Sequence, residues 1–148
     1  MNISDNGLDF IKKHEGLRLK VYIDAVGMPT VGYGHADKEL KVGSAITQEI
    51  ADHLLEIDCA VAENCINDKV TVPLNQNQFD ALCSFIFNVG CWNFQTSTLS
   101  RLLNMGEYGK ATLQFLRWNK GRVNGKMVEL PGLTIRRKDE KELFEKPT

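Results

Sequence analysis

No stretch of this 148-residue chain approaches the roughly 20 consecutive apolar residues of a membrane-spanning helix. The first residues, MNISDNGLDFIKKHEG, lack the apolar run and the small-residue cleavage site of a secretory signal. Only four cysteines occur, Cys59, Cys65, Cys83 and Cys91, with no CxxC pair and no ordered histidine partners, which argues against a zinc site. Nothing in their spacing pairs them, so free thiols in a reducing compartment are the expectation, and Cys83, inside ALCSFIF, reads as a small core residue. Internal repeats and low-complexity segments are absent. So are a helix-turn-helix and the aromatic-basic sheet of nucleic-acid binders. Net charge is almost absent too, at −1, but it is unevenly spread: Met1–Lys69 holds seven Lys/Arg against twelve Asp/Glu, and Val70–Thr148 eleven against seven. A basic second half can attract an anionic polymer or can be a solvated helical surface.

What remains is one domain of ordinary composition, 43% hydrophobic and 25% charged. Ser4 precedes a short helical pattern, with Leu8, Ile11 and His14 or Glu15 on one face, that Gly16 ends. From Leu17 the period changes: Leu17, Leu19, Val21 and Ile23 alternate with Arg18, Lys20, Tyr22 and Asp24, the pattern of a half-buried strand. Ala25-Val26-Gly27 reads as a turn and Pro29–Gly34 as a second strand. Thr47 and Glu49 open a long helix to about Ile66, with Ala51, Leu54, Leu55, Asp58, Val61 and Ala62 inward or near the seam. Asn75 and Gln78 have the spacing of a capping box before FDALCSFIFNVG, a helix apolar on nearly every face and so expected at the centre. Shorter helices follow near Ser97–Asn104 and Tyr108–Trp118. A Gly-rich basic loop from Lys120 to Gly132 precedes a last helix carrying Arg136, Arg137, Leu143 and Phe144. The fold class is α+β: a small lobe with a short sheet at about 15–70, a helical lobe at about 71–148 joined by the N-terminal helix, and a cleft between.

Within HEGLRLKVYIDAVGMPTVGYGH the only acids are Glu15 and Asp24. Glu15 stands at a helix C-terminus, against the negative end of the macrodipole, and Asp24 at a strand end beside a turn. Two carboxyls in different surroundings suit glycoside hydrolysis, in which one protonates the leaving oxygen and the other supports attack. Taken alone, two carboxylates nine residues apart are equally ordinary surface charge.

Thr30 adds a third element. Glu15, eight residues, Asp24, five residues, Thr30 resembles the catalytic motif of phage-type lysozymes, the endolysins of glycoside hydrolase family 24. Further matches are His14-Glu15-Gly16, Pro29-Thr30-Val31-Gly32-Tyr33-Gly34-His35, the stretch Val72–Leu82, Phe87-Asn88-Val89-Gly90, Gly132-Leu133, Arg136-Arg137 and Glu140. The resemblance runs from about Ile3 to Phe144. It implies a lysozyme-like fold and a muramidase that cleaves the β-1,4 bond between N-acetylmuramic acid and N-acetylglucosamine in peptidoglycan. It places Glu15 as general acid and Asp24 with Thr30 as holders of the attacking water, with inversion and no metal or cofactor. It also implies a monomer without nucleic-acid partner or stable membrane association, held in the host cytoplasm until a holin-made lesion admits it to the wall. Relatives with an N-terminal signal-arrest-release helix bypass that step.

Other positions invite more than one reading. Arg136 or Arg137 can hold Glu15 through a guanidinium, or both can be exposed. His35 reads as a structural hydrogen-bonding histidine. Tyr33 can line the sugar cleft or fill the small lobe. Asn88 can bind an acetamido group or simply end its helix. Trp118 reads as an anchor in the second core, and Trp92 is open. A wall-binding domain without turnover and a nucleic-acid binder are the rival functions; wall lysis and salt-sensitive duplex binding separate them.

Overall fold

The computed structural model describes residues 1–148. Helix α1 (Asp5–Glu15) starts at Ser4, whose hydroxyl accepts the Gly7 N–H. The cap is itself anchored from afar, because the Ser4 N–H and hydroxyl both donate to the buried carboxylate of Asp80. Gly7 permits that approach: a Cβ there would lie 2.6 Å from the Asp80 carboxyl carbon. Gly16, at φ 73°, ends the helix and turns the chain into a three-stranded antiparallel sheet, β1 (Arg18–Ile23), β2 (Pro29–Gly32) and β3 (His35–Ala36).

The sheet is more exposed than the alternation suggests. Val21 is buried, but Leu17, Leu19 and Ile23 are 39–50% exposed. A register irregularity between Arg18 and Tyr22 interrupts the regular pairing with β2, and the other edge of β1 pairs with the irregular segment around Gly43–Ile46, not with a full strand. The second strand also stops at Gly32, since Tyr33 and Gly34 form the turn into β3.

Helix α2 (Gln48–Lys69), capped by Thr47, runs past two cores. Its first half gives Ala51, Leu55 and Cys59 to a small cluster with Ile11 and Tyr33. Its second half gives Ala62, Cys65 and Ile66 to a cluster of 15 buried residues. Val61, expected near the seam, is 65% exposed, because the helix turns that position away from both clusters. Helix α3 (Gln76–Val89) forms the expected capping box and buries every residue from Phe79 to Ile86.

Gly90 then redirects the chain into a short helix, α4 (Cys91–Gln95), which the sequence pattern did not suggest. This turn brings Cys91 to Cys65 on α2 at a Cα–Cα distance of 5.9 Å, and the two form a disulfide. The expectation of four free thiols is corrected here. Cys59 and Cys83 are free and buried, and burial pushes the Cys59 thiol up to about 12.

Helices α5 (Thr98–Asn104) and α6 (Tyr108–Gln114) follow, the latter ending in a single 3-10 turn at Phe115–Arg117. Trp118 stands edge-on to Phe85 at 5.6 Å and packs on the large core, as an anchor would. The expected basic loop is instead a hairpin, β4 (Lys120–Val123) and β5 (Lys126–Glu129). Asn124-Gly125 supplies its two-residue turn, both residues at positive φ, as such turns require. The last helix, α7 (Pro131–Glu145), starts earlier than expected because Pro131 fits its first position.

Candidate active site

Glu15 is placed by three elements. The last turn of α1 carries it, the β2–β3 turn faces it, and α7 supplies its counter-ion. The Arg136 guanidinium on α7 donates to the Glu15 carboxylate, so of the two candidate arginines it is Arg136 that reaches the acid. On the other side Gly34 comes so close that a Cβ there would sit 3.3 Å from Glu15 Oε1.

Arg136 is locked in turn. Its Nη2 donates to the Ser84 carbonyl at 3.2 Å and to the Ser84 hydroxyl at 3.3 Å, and its Nε donates to Glu140 Oε2 at 3.3 Å. Glu140 is fully buried and also accepts from Ser84 Oγ at 2.6 Å, and it pairs with Arg137 at 2.7 Å. Arg137 lies inside the protein with its guanidinium 5.0 Å from the Phe85 ring centre. Burial raises the Glu140 carboxyl above its ordinary range against the opposing pull of Arg137 and Arg136, and burial lowers Arg137. Glu15 and Glu140 thus stand against Arg136 and Arg137, and this mutual pairing makes the burial of the guanidiniums tolerable. In the sequence Glu140 stands out only as one of the family matches, and Ser84 does not stand out at all. The i,i+3 and i,i+4 spacing of Glu140 after Arg137 and Arg136 was the available signal.

His14, one residue before the acid, lies 3.1 Å from Asp139 on α7. Burial is the main cause that lowers its protonation range, helped by Arg136 and opposed by Asp139.

Asp24 is held differently. Its Oδ1 accepts the N–H groups of Val26 and Met28, each at 2.9 Å, closing the β1–β2 turn over its own side chain. Thr30, buried on β2, donates its hydroxyl to the Met28 carbonyl at 2.9 Å. The two peptide groups of Met28 therefore fix both residues, and the register, with Tyr22 opposite Thr30, puts Asp24 and Thr30 on one face of the hairpin. Asp24 Oδ2 and the lone pairs of the Thr30 hydroxyl accept no hydrogen bond from the protein. No hydrogen bond joins this pair to Glu15.

His35 hydrogen-bonds Asp58 through Nδ1, at 2.9 and 3.1 Å from its two oxygens, and so ties β3 to α2. Tyr33 lies in the small core, 8% exposed, its hydroxyl accepting from Gln48 at 3.0 Å. Asn88 is exposed on the last turn of α3, and Trp92 is 71% exposed.

A cleft pocket of about 280 Å³ lies where the β2–β3 turn, α2 and the end of α3 meet, with Gly34, Ala36, Asp58 and Phe87 on its walls. Gly34 joins this space to Glu15. No cluster of three or more His, Cys, Asp or Glu is arranged to hold a metal ion. No helix is long and apolar enough to cross a membrane.

A family model described as phage lysozyme matches residues 12–140 of this chain. The endolysin of Acyrthosiphon pisum secondary endosymbiont phage 1 is 50% identical over 145 residues, which covers 98% of this chain and 99% of that protein. The endolysin of Salmonella phage P22 is 45% identical over 148 residues, covering 97% of this chain and 98% of that one. Among solved structures, the muramidase domain of SpmX from Asticaccaulis excentricus superposes with a TM-score of 0.93 at 38% identity, covering 99% of each chain.

Proposed function

This chain belongs to the phage lysozyme family, glycoside hydrolases of the endolysin kind that act on peptidoglycan, and we propose that Glu15, Asp24 and Thr30 carry its reaction. The bond is the β-1,4 link between N-acetylmuramic acid and N-acetylglucosamine, cleaved with inversion. Glu15 delivers a proton to the leaving oxygen, and the carboxylate that forms is met by the Arg136 guanidinium already on it.

The observation that carries the water-holding role is the common anchoring of Asp24 and Thr30 on Met28. Thr30 spends its hydrogen on the Met28 carbonyl, so toward a water it can only accept. Asp24 spends one oxygen on two backbone N–H groups, and its other oxygen is left as an acceptor. A water between them must donate both of its hydrogens, one to Thr30 Oγ1 and one to Asp24 Oδ2. Its lone pairs then face the sugar, and Asp24 takes the proton as attack proceeds. A carboxylate attacking directly would have no use for the hydroxyl.

In this reading the enzyme works as a monomer once a membrane lesion gives it the wall. NMR of early products from a β-linked wall fragment tests the mechanism, with Glu15→Gln as the inactive control. The α-anomer appears first under inversion. The β-anomer appearing first would make Asp24 a nucleophile and overturn the water-holding role.

A further inference from the structure

A general acid must carry its proton before it can act, and in that state its hold on a guanidinium weakens. A carboxylate and an arginine attract as full charges, whereas a neutral carboxyl keeps only a hydrogen bond. Arg136 stays in place in either case, since Ser84 and Glu140 hold it. It is Glu15 and the last turn of α1 that are then free to drift. A second restraint on that turn, independent of the charge on Glu15, would keep the acid aimed.

One contact has the right place. His14, the residue before the acid, lies 3.1 Å through Nε2 from Asp139 Oδ2. Asp139 follows Arg136 by three residues, so the two sit one turn apart on the same side of α7. The end of α1 thus meets α7 through two neighbouring rungs, Glu15 with Arg136 and His14 with Asp139. They are opposite in sense: α1 offers the acid in one and the base in the other. No backbone hydrogen bond joins the two helices, so these side chains carry their polar connection.

His14 is built for holding and not for chemistry. It does not border the cleft pocket, and its side chain is only 10% exposed. The Phe10 ring, one turn earlier, lies 4.9 Å from the imidazole and confines it. Nε2 is closed to solvent and has no aligned hydrogen bond, which leaves the Asp139 oxygen as its partner. The separation is already that of a hydrogen bond, so a slight turn of the ring completes it. Burial first, then Arg136 with Lys13 and Arg137, keeps the ring uncharged at neutral pH against the pull of Asp139. An uncharged ring can grip Asp139 without setting a second cation near Glu15, which would favour the ionised form of the acid.

We propose that His14 and Asp139 form a positioning pair for the general acid, holding the last turn of α1 on α7 while Glu15 is protonated. The inference rests on the reading of Glu15 as the acid given above.

Turnover of a soluble β-linked wall fragment, normalised to folded protein, is the first test. His14→Phe keeps a ring against Phe10 but loses the N–H. Its kcat should fall about ten- to hundredfold, the scale of shifting a reacting group by up to an ångström. KM should stay within about twofold, because binding in the cleft is untouched. His14→Gln offers an amide N–H near the place of Nε2 and should return kcat to within about threefold of the wild type. Asp139→Leu removes the same rung from a side chain that is 29% exposed, and it should reproduce the loss even if His14→Phe does not fold. The double variant should be no worse than either single one. Hydrogen exchange of the Gly16 N–H, which donates to the Lys12 carbonyl at 3.1 Å, is the second test. With Glu15→Gln standing for the neutral acid, His14→Phe should speed that exchange about tenfold; where the Arg136 ion pair remains, by less than about twofold. An unchanged kcat in His14→Phe and Asp139→Leu, no rescue by His14→Gln, or equal exchange effects in the two backgrounds would each overturn the proposal. If Glu15→Gln lyses walls normally, the reading of Glu15 falls on its own, and Gly16 exchange still decides whether the pair holds the turn.

Discussion

Glu15 and Asp24 are carboxylates at the ends of neighbouring elements, yet they are held in opposite ways. Asp24 is fixed by its own turn, through N–H groups two and four residues on. Glu15 is fixed by Arg136, 121 residues away, and through it by Ser84 and Glu140. The Asp24 side of the site is therefore local and partly solvated. The Glu15 side is a product of long-range packing between α1, α3 and α7. Local fixation needs only a turn to form, and remote fixation needs the whole helical core.

The largest expected effect tests the chemistry on both sides. Glu15→Gln and Asp24→Asn should each lower the rate of wall lysis by roughly 10²–10⁴-fold, the usual cost of losing an acid or base. Asp24→Asn keeps the Oδ1 acceptor, so its unfolding midpoint in urea should stay close to that of the wild type. Near-normal lysis by either variant removes that residue from its role.

Next comes the network behind the acid. Glu140→Gln leaves Arg136 and Arg137 facing one carboxylate in a buried site, and unfolding in urea should show a loss of about 3–5 kcal/mol. Arg136→Ala and Glu15→Gln should also be non-additive in unfolding free energy. Additivity within about 0.3–0.5 kcal/mol would dissolve the proposed coupling.

The disulfide separates the helical core from the sheet in a third way. Opening Cys65–Cys91, which closes a sequence separation of 26 residues, should cost about 3–4 kcal/mol in the chain-entropy estimate. The unfolding midpoint of the wild type should fall in reductant, and that of the Cys65→Ser, Cys91→Ser protein should not move.

In the β1–β2 turn, Asp24→Ala removes the acceptor that Asp24→Asn keeps. The alanine protein should be about 1 kcal/mol less stable than the asparagine one, a difference that urea titration can resolve. Equal stabilities would mean that the turn holds itself without the carboxylate.

The smallest effect concerns His14. Its folded-state protonation range is lowered, so at pH values just below 6.5 the unfolded chain binds more protons than the folded one. Its contribution to stability is present above that range and fades as the pH falls toward the lowered folded value. His14→Gln should flatten the stability profile in that window, and an unchanged slope would assign the dependence to another group.

Much of the fold was legible from local pattern. Ser4, Thr47 and the Asn75–Gln78 box cap their helices as their chemistry suggests, and Gly16 and Gly90 end theirs. The apolar character of α3 on nearly every face marks it as central. The hairpin at Lys120–Glu129 was missed even though Asn124-Gly125 is a strong turn signal, because the surrounding residues are mostly polar and lack a buried alternating face. The sheet differs in the opposite sense: its alternation is real, but of the apolar side of β1 only Val21 is covered.

For the site, residue order by itself determined three things: an acid at a helix end, a second acid at a strand end, and a hydroxyl on the next strand. Their spacing is local, and local spacing is what a sequence displays. Whether Arg136 or Arg137 faces Glu15, that Glu140 and Ser84 hold that arginine, that Tyr33 goes inward, and that Cys65 meets Cys91 were decided only by the tertiary structure. Each depends on how elements distant in the chain pack against one another. Adjacent arginines project about 100° apart on a helix, so only the packing of α7 on α3 and α1 selects which one reaches the acid.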